Sequence, residues 1–137
     1  GHAGLFSTAT DIGVLFQMLL NGGVYNNKRY LQQSTVELFT SKNSFISRRG
    51  LGFDKPETKS GKGNPCSDNA SAKTFGHQGF TGTCVWADPD SNLIFVFLSN
   101  RTYPSAENKL INSSLHVRET AQQYIYNAIG IANKSRK

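Results

Sequence analysis

Nine residues, Phe75–Thr83 (FGHQGFTGT), hold one histidine, three glycines and two threonines. An imidazole can donate a hydrogen bond or carry positive charge near neutral pH, which suits it to acid–base and electrostatic work. Gly76 and Gly79 remove side-chain bulk on either side of His77, and Gly82 does so further along. A strand with so little bulk lets a substrate lie against the backbone, where N–H groups can donate to a developing oxyanion. The stretch therefore fits one half of an acyl-transfer site. Its plainer reading is a glycine-softened turn with a solvent-facing histidine.

The other half of such a site is an activated nucleophile. In a Ser-x-x-Lys pair, one helical turn places the lysine beside the serine hydroxyl. No serine in this sequence has lysine three residues later. Ser67-Asp68-Asn69 spells a triplet used in some serine hydrolases, but it lies in a polar stretch just before the histidine segment and reads as coincidence. Tyr25-Asn26-Asn27 directly follows a helix stop and reads as a turn. His2 and His116 add nothing: the first begins the chain and the second is expected to be exposed on a helix. No His, Asp or Glu set has metal-ligand spacing, and there is no phosphate loop, so no cofactor or metal is expected. Cys66 and Cys84 are too few for a disulfide scaffold and read as free thiols, with a bridge as the alternative in an exported protein.

The elements that would position these residues follow from pattern. Thr8 or Ser7 can cap a helix, with Asp11 completing a loose capping box. Ile12, Leu15, Phe16 and Leu19 fall on one helical face, and Gly22-Gly23 ends it. Ser34–Glu37 predicts a second capping box and a short helix. Arg48–Phe53 predicts a short strand, and residues 54–71 a polar surface loop. Residues 72–77, 81–88 and 92–100 predict three strands, the last two joined by a tight turn at Asp88–Ser91. The run Leu93–Leu98 is apolar throughout, as in a strand covered on both faces. A last helix is predicted with Ile111, Leu115, Ala121, Ile125 and Ala128 on its packed side. The order is α+β, an antiparallel sheet with packed helices.

The chain has 137 residues, enough for one modest core, with 37% hydrophobic and 18% charged residues. No apolar run is long enough to span a membrane. The net charge of +6 is scattered, with no arginine-rich helix or basic–aromatic motif, so nucleic acid is not expected as a partner.

Three segments in order, GHAGLFSTATDIGVLFQMLLNGG, FGHQGFTGTCVWADPDSNLIFVFLSNR and a terminal helix, together resemble the C-terminal part of the serine β-lactamase-like family. That family holds class C β-lactamases, D-alanyl-D-alanine carboxypeptidases, D-aminopeptidases and esterases. The resemblance covers residues 1–130, leaving 131–137 as a basic flexible tail. It is also similar to modules fused behind a family 3 glycoside hydrolase. The resemblance implies a partial β-lactamase/transpeptidase-like fold. It implies that His77 replaces the lysine of a Lys-Thr-Gly element, that Gly79 keeps the strand edge open, and that the Phe80 N–H is one oxyanion donor. Gln78 and Thr81 would line the substrate side. Gln78 departs from the family's usual Thr or Ser and lacks the hydroxyl that binds a substrate carboxylate. The family's Ser-x-x-Lys and Tyr-x-Asn belong upstream of residue 1. The chain is thus expected to be a fragment of a bacterial, periplasmic or otherwise exported hydrolase. It would be inactive alone, partnered by the rest of its domain and a small-molecule, peptide or ester substrate. With its first helix and sheet edge uncovered, it is expected to form dimers, exchange strands or be poorly soluble. The competing readings are a non-catalytic module that binds cell-wall or glycan fragments or braces a glycosidase, and an unrelated basic domain binding anionic polymers.

Overall fold

A computed structural model describes residues 4–59, 62–108, 110 and 115–131. His2, Ile111 and residues 132–137 of the expected tail lie outside them. The elements are α1 (Ala9–Leu20), β1 (Val24–Tyr25), β2 (Lys28–Arg29), α2 (Gln33–Thr40), β3 (Phe75–Gln78), β4 (Cys84–Asp88), β5 (Leu93–Phe97) and α3 (Val117–Ala128). The expected α+β arrangement is present, with β3-β4-β5 forming one antiparallel sheet and β1-β2 a separate hairpin.

The sheet is sandwiched. On one face Phe16, Leu19, Val36, Phe75 and Ala87 form a core under α1, and Val85 and Ile94 pack against it. On the other, Trp86, Phe95, Cys84, Cys66 and Tyr126 form a core under α3, joined by Leu93 and Phe97. Successive residues of β5 thus serve opposite cores, which explains its unbroken apolar run. Both thiols are free and buried, and burial pushes that of Cys84 up to about 12.

Thr8 caps α1: its Oγ1 accepts from the Asp11 N–H at 3.2 Å and donates to Asp11 Oδ2 at 2.8 Å. Such a cap contributes about 1 kcal/mol. Gly22 and Gly23 end the helix with φ of +63° and +91°. A Cβ on Gly23 would also lie 2.2 Å from the Leu31 carbonyl oxygen, so only glycine fits. Asn26 and Asn27 both have positive φ and close the β1–β2 hairpin, as the turn reading of Tyr25–Asn27 required.

Several expectations need correction. Leu15 is half exposed rather than part of the buried face of α1. The second helix starts earlier than its predicted box: Gln32 is the N-cap, and Glu37 is engaged by Gln33 Nε2 at 2.8 Å instead of by a Ser34 cap. Arg48–Phe53 is not a strand. Gly50 N–H donates to the Phe53 carbonyl in a turn, and only Asp54 reaches the sheet, bridging Gly76. The polar loop is not wholly at the surface. Asp54, Lys55, Glu57, Cys66 and Ser67 are buried. Lys55 Nζ donates to the carbonyls of Thr40, Lys73 and Thr74 at 2.9–3.2 Å, which satisfies the ammonium without a carboxylate. Burial nevertheless pulls its pKa below the usual lysine range.

The packed side of α3 is also different. Arg118, Gln122 and Tyr126, spaced i, i+4, i+8, are buried, with Ala121 beside them. Leu115 and Ile125 are exposed, as is Ala128. Each of these three side chains has a specific partner, although Arg118 Nε has none among the described residues. Gln122 Oε1 accepts from the Ser67 N–H at 2.9 Å, Tyr126 Oη donates to Asp88 Oδ2 at 2.7 Å, and Arg118 reaches Gln78 Oε1 at 3.1 Å. Ile131, the first residue of the expected tail, packs on this core, and its carbonyl accepts from Asn69 Nδ2 at 2.8 Å.

Candidate active site

The order β3-β4-β5 leaves β3 at an edge of the sheet. Its outer side is bridged by Asp54 at Gly76: the Asp54 N–H donates to the Gly76 carbonyl at 2.7 Å, and the Asp54 carbonyl accepts from the Gly76 N–H at 3.0 Å. Arg48 holds Asp54 in place with a bidentate pair, Nε to Oδ1 at 2.7 Å and Nη2 to Oδ2 at 2.8 Å. Beyond that bridge, no strand among the described residues pairs with the outer margin of β3.

His77 stands there, exposed, on the α1 face of the sheet. Its Nδ1 lies 2.8 Å from the Gln78 carbonyl oxygen. A carbonyl can only accept, so Nδ1 carries a proton in this contact, which in the neutral ring leaves the lone pair on Nε2. Nε2 faces Arg49 Nη1 at 3.5 Å, and the same guanidinium reaches Asp54 Oδ2 at 3.9 Å. A fixed positive charge therefore sits beside the imidazole. Reading the sequence did not reveal this, because Arg49 lies 28 residues upstream in a segment expected to be a strand.

The residues after Gln78 form a turn rather than a continued strand. Gly79 N–H donates inward to the Thr83 carbonyl at 2.7 Å, and the Gly79 carbonyl accepts from the Gly82 N–H at 3.0 Å. In a trans peptide the C=O and N–H point in opposite directions. The Phe80 N–H shares its peptide group with the Gly79 carbonyl, so it points away from the turn interior. It has no acceptor among the described residues. Phe80 and Thr81 are exposed.

The glycines have internal reasons to be glycine. A Cβ on Gly76 would lie 2.0 Å from the Val85 carbonyl oxygen and 2.7 Å from Trp86 Cε3, and one on Gly79 would lie 2.3 Å from Thr83 Oγ1. The crowding that excludes side chains thus comes from β4 and the turn itself.

Gln78 is placed apart from His77. It alternates to the α3 face, where its Nε2 donates to the Pro65 carbonyl and to Glu119 Oε1, and its Oε1 accepts from Arg118. The amide is fully engaged there. Ser67, first of the Ser-Asp-Asn triplet, is buried with its Oγ donating to Gln123 Oε1 at 2.6 Å, which fits the coincidence reading. His116 is exposed at the start of α3. Among the described residues no three metal-ligating side chains converge. A separate cleft lies between α1 and α2, lined by Leu19, Gln33, Val36 and Phe75, and includes none of the histidine segment beyond Phe75.

This antiparallel sheet with helices on both faces is similar in fold to solved β-lactamases. A β-lactamase from Mycobacterium bovis superposes with a TM-score of 0.60 over 92% of this chain and 45% of its own, at 21% identity. Residues 1–119 match the beta-lactamase family, and the chain belongs to it. Proteins named "Putative D-alanyl-D-alanine carboxypeptidase" are similar in sequence: that of Salmonella agona is 37% identical and that of Salmonella paratyphi B 36% identical, each over 117 residues. These matches cover 85% of this chain and 27% of the relatives, so the chain spans about a quarter of their length.

Proposed function

We propose that this chain forms one wall of the active site of a serine acyl hydrolase. The observation that carries the proposal is the exposed His77 on an open edge strand, next to a Phe80 N–H that no group of the turn uses. In this reading His77 supports proton movement around the nucleophile, with Nε2 as its working atom, and Arg49 supplies fixed positive charge at the same rim. The Phe80 N–H is one of two oxyanion donors, Gly79 keeps the rim free of bulk, and Thr81 faces the substrate. Gln78 contributes its backbone at the rim, since its side chain is bound on the other face.

In this reading the attacking serine and its lysine are supplied from outside these 137 residues. The chain alone is then inactive, because one oxyanion donor does not replace a nucleophile. The domain runs through α3 to about residue 130. The names of the Salmonella relatives favour a peptide ending in D-alanine as the substrate class, in an exported, cell-wall-related protein. No helix among the described residues is long and apolar enough to cross a membrane.

The test is acylation of the natural full-length protein by a fluorescent penicillin or turnover of a p-nitrophenyl ester. His77→Ala should lower turnover by about 10²-fold or more with the melting temperature unchanged. Unaltered turnover would remove His77 from the mechanism. The engaged Gln78 amide favours a second reading, a non-catalytic module that holds cell-wall fragments. Binding of peptidoglycan fragments without acylation would select it.

A further inference from the structure

Arg101 follows β5 and is 5% exposed. Among the described residues it forms no ion pair with a carboxylate. Its donors go to main-chain carbonyls instead: Nε to Phe80 at 2.6 Å, and Nη1 to Ala106 at 3.0 Å and Asn108 at 2.8 Å. The guanidinium also lies 4.3 Å from the centroid of the Phe80 ring, a cation–π contact. The Arg101 main-chain N–H donates to the Thr81 carbonyl at 2.9 Å, and Ser99 Oγ adds a bond to that oxygen at 3.2 Å. A buried cation with no counter-ion is costly unless its hydrogen bonds are all used well. Here they fix peptide groups of the histidine turn to the loop that follows β5.

We infer that Arg101 is a positioning residue that holds the Gly79–Thr83 turn in the one conformation presenting the Phe80 N–H at the open margin beside His77. Its consequence for turnover rests on the proposed acyl-transfer reading. Its geometry does not. The turn is flanked by Gly79 and by Gly82 at φ +93°, so its peptides have little steric resistance to reorientation. Three carbonyls set its shape. Gly79 is held by the Gly82 N–H, while Phe80 and Thr81 are held by the side chain and main chain of Arg101. Without the guanidinium, the Phe80 carbonyl is released and the ring loses its platform. The turn then spends time in conformers that aim the Phe80 N–H elsewhere. A donor that matters only when charge develops on the substrate oxygen affects the chemical step and leaves ground-state binding nearly unchanged.

The experiment compares Arg101→Met and Arg101→Lys with wild type in the natural full-length protein. Two readouts are used: p-nitrophenyl ester kinetics, and amide hydrogen exchange across the turn and the sheet. For Arg101→Met, kcat should fall about 10²-fold, the scale of losing one oxyanion donor, with KM within about twofold. Gly82 amide exchange should speed up at least about tenfold while the β4 and β5 amides keep their protection. Arg101→Lys should fall between, since an ammonium can reach the Phe80 carbonyl without the fork that also binds Ala106 and Asn108. If Arg101→Met does not fold, Arg101→Lys carries both measurements. Unchanged kcat and unchanged Gly82 exchange would overturn the inference. So would a uniform loss of protection across the sheet, which would make Arg101 a general brace. A wild-type protein that turns over no ester and is not acylated by penicillin, yet shows Arg101-dependent Gly82 exchange, would sink the hydrolase reading and leave the positioning role standing.

Discussion

Tyr126 Oη donates to Asp88 Oδ2 at 2.7 Å and ties the last turns of α3 to the end of β4. Both residues are buried, and Asp88 also accepts from the Ser71 hydroxyl at 2.6 Å and the Ser71 N–H at 3.1 Å. A hydrogen bond to a buried carboxylate is worth about 1.5–3 kcal/mol. Tyr126→Phe should therefore destabilise the fold by about 2 kcal/mol, read from urea denaturation midpoints at constant slope. A change below about 0.5 kcal/mol would mean that the helix is held by apolar packing alone.

The same carboxylate sets an acid limit. Burial pushes the Asp88 pKa up, but the bonds from Ser71 and Tyr126 prevail and hold it below the usual aspartate value. A group whose folded pKa is depressed adds stability above its unfolded pKa, about 3.9, and loses it as pH falls through the folded value. Asp88→Asn should be markedly less stable than wild type at pH 6. The gap should narrow as pH drops below about 4, followed by thermal melts at matched ionic strength. A gap that stays constant down to the lowest pH at which both fold would show that Asp88 is not the titrating group.

Gly76→Ala tests why the histidine strand is glycine-rich. The added methyl would collide with the Val85 carbonyl and the Trp86 ring, and the backbone cannot withdraw without breaking β3–β4 pairing. A loss of about 3 kcal/mol or more is expected in chemical denaturation. Near-wild-type stability would indicate that the strand can shift, and that its glycine is kept for some reason other than packing.

The exposed apolar residues Leu5, Phe6, Leu15, Phe45 and Ile46 predict self-association of the 137-residue chain studied by itself. Sedimentation velocity should show a sedimentation coefficient that rises with concentration. Charged substitutions at Phe45 and Ile46 should suppress it. A monomer at all accessible concentrations would refute the expectation.

Much of the fold is legible in the sequence because local patterns and tertiary needs agree there. Thr8 and Asp11 cap the first helix as their spacing requires, Gly22-Gly23 stops it, and the Asp88–Ser91 turn joins two strands whose apolar runs are hard to read otherwise. The strand carrying His77 and its exposure also follow from composition, since a histidine between glycines has little apolar surface to bury.

What the chain order cannot express is which polar groups go inside. Arg101, Arg118, Gln122, Lys55 and Asp88 are of types usually found at the surface, because burying such groups is favourable only with partners far away in sequence. Those partners are the Phe80 carbonyl, the Gln78 amide, the Ser67 N–H, three main-chain oxygens around Lys55, and Tyr126. The same holds at the site. The sequence by itself determined a histidine on a glycine-bordered strand within a recognisable family pattern. Only the tertiary structure decided that Gln78 turns to the far face, that Arg49 stands beside the imidazole, and that a buried arginine from beyond β5 sets the Phe80 turn. Hydrogen bonds and charge contacts are satisfied across space, and their energy depends on distance and burial that no local pattern records.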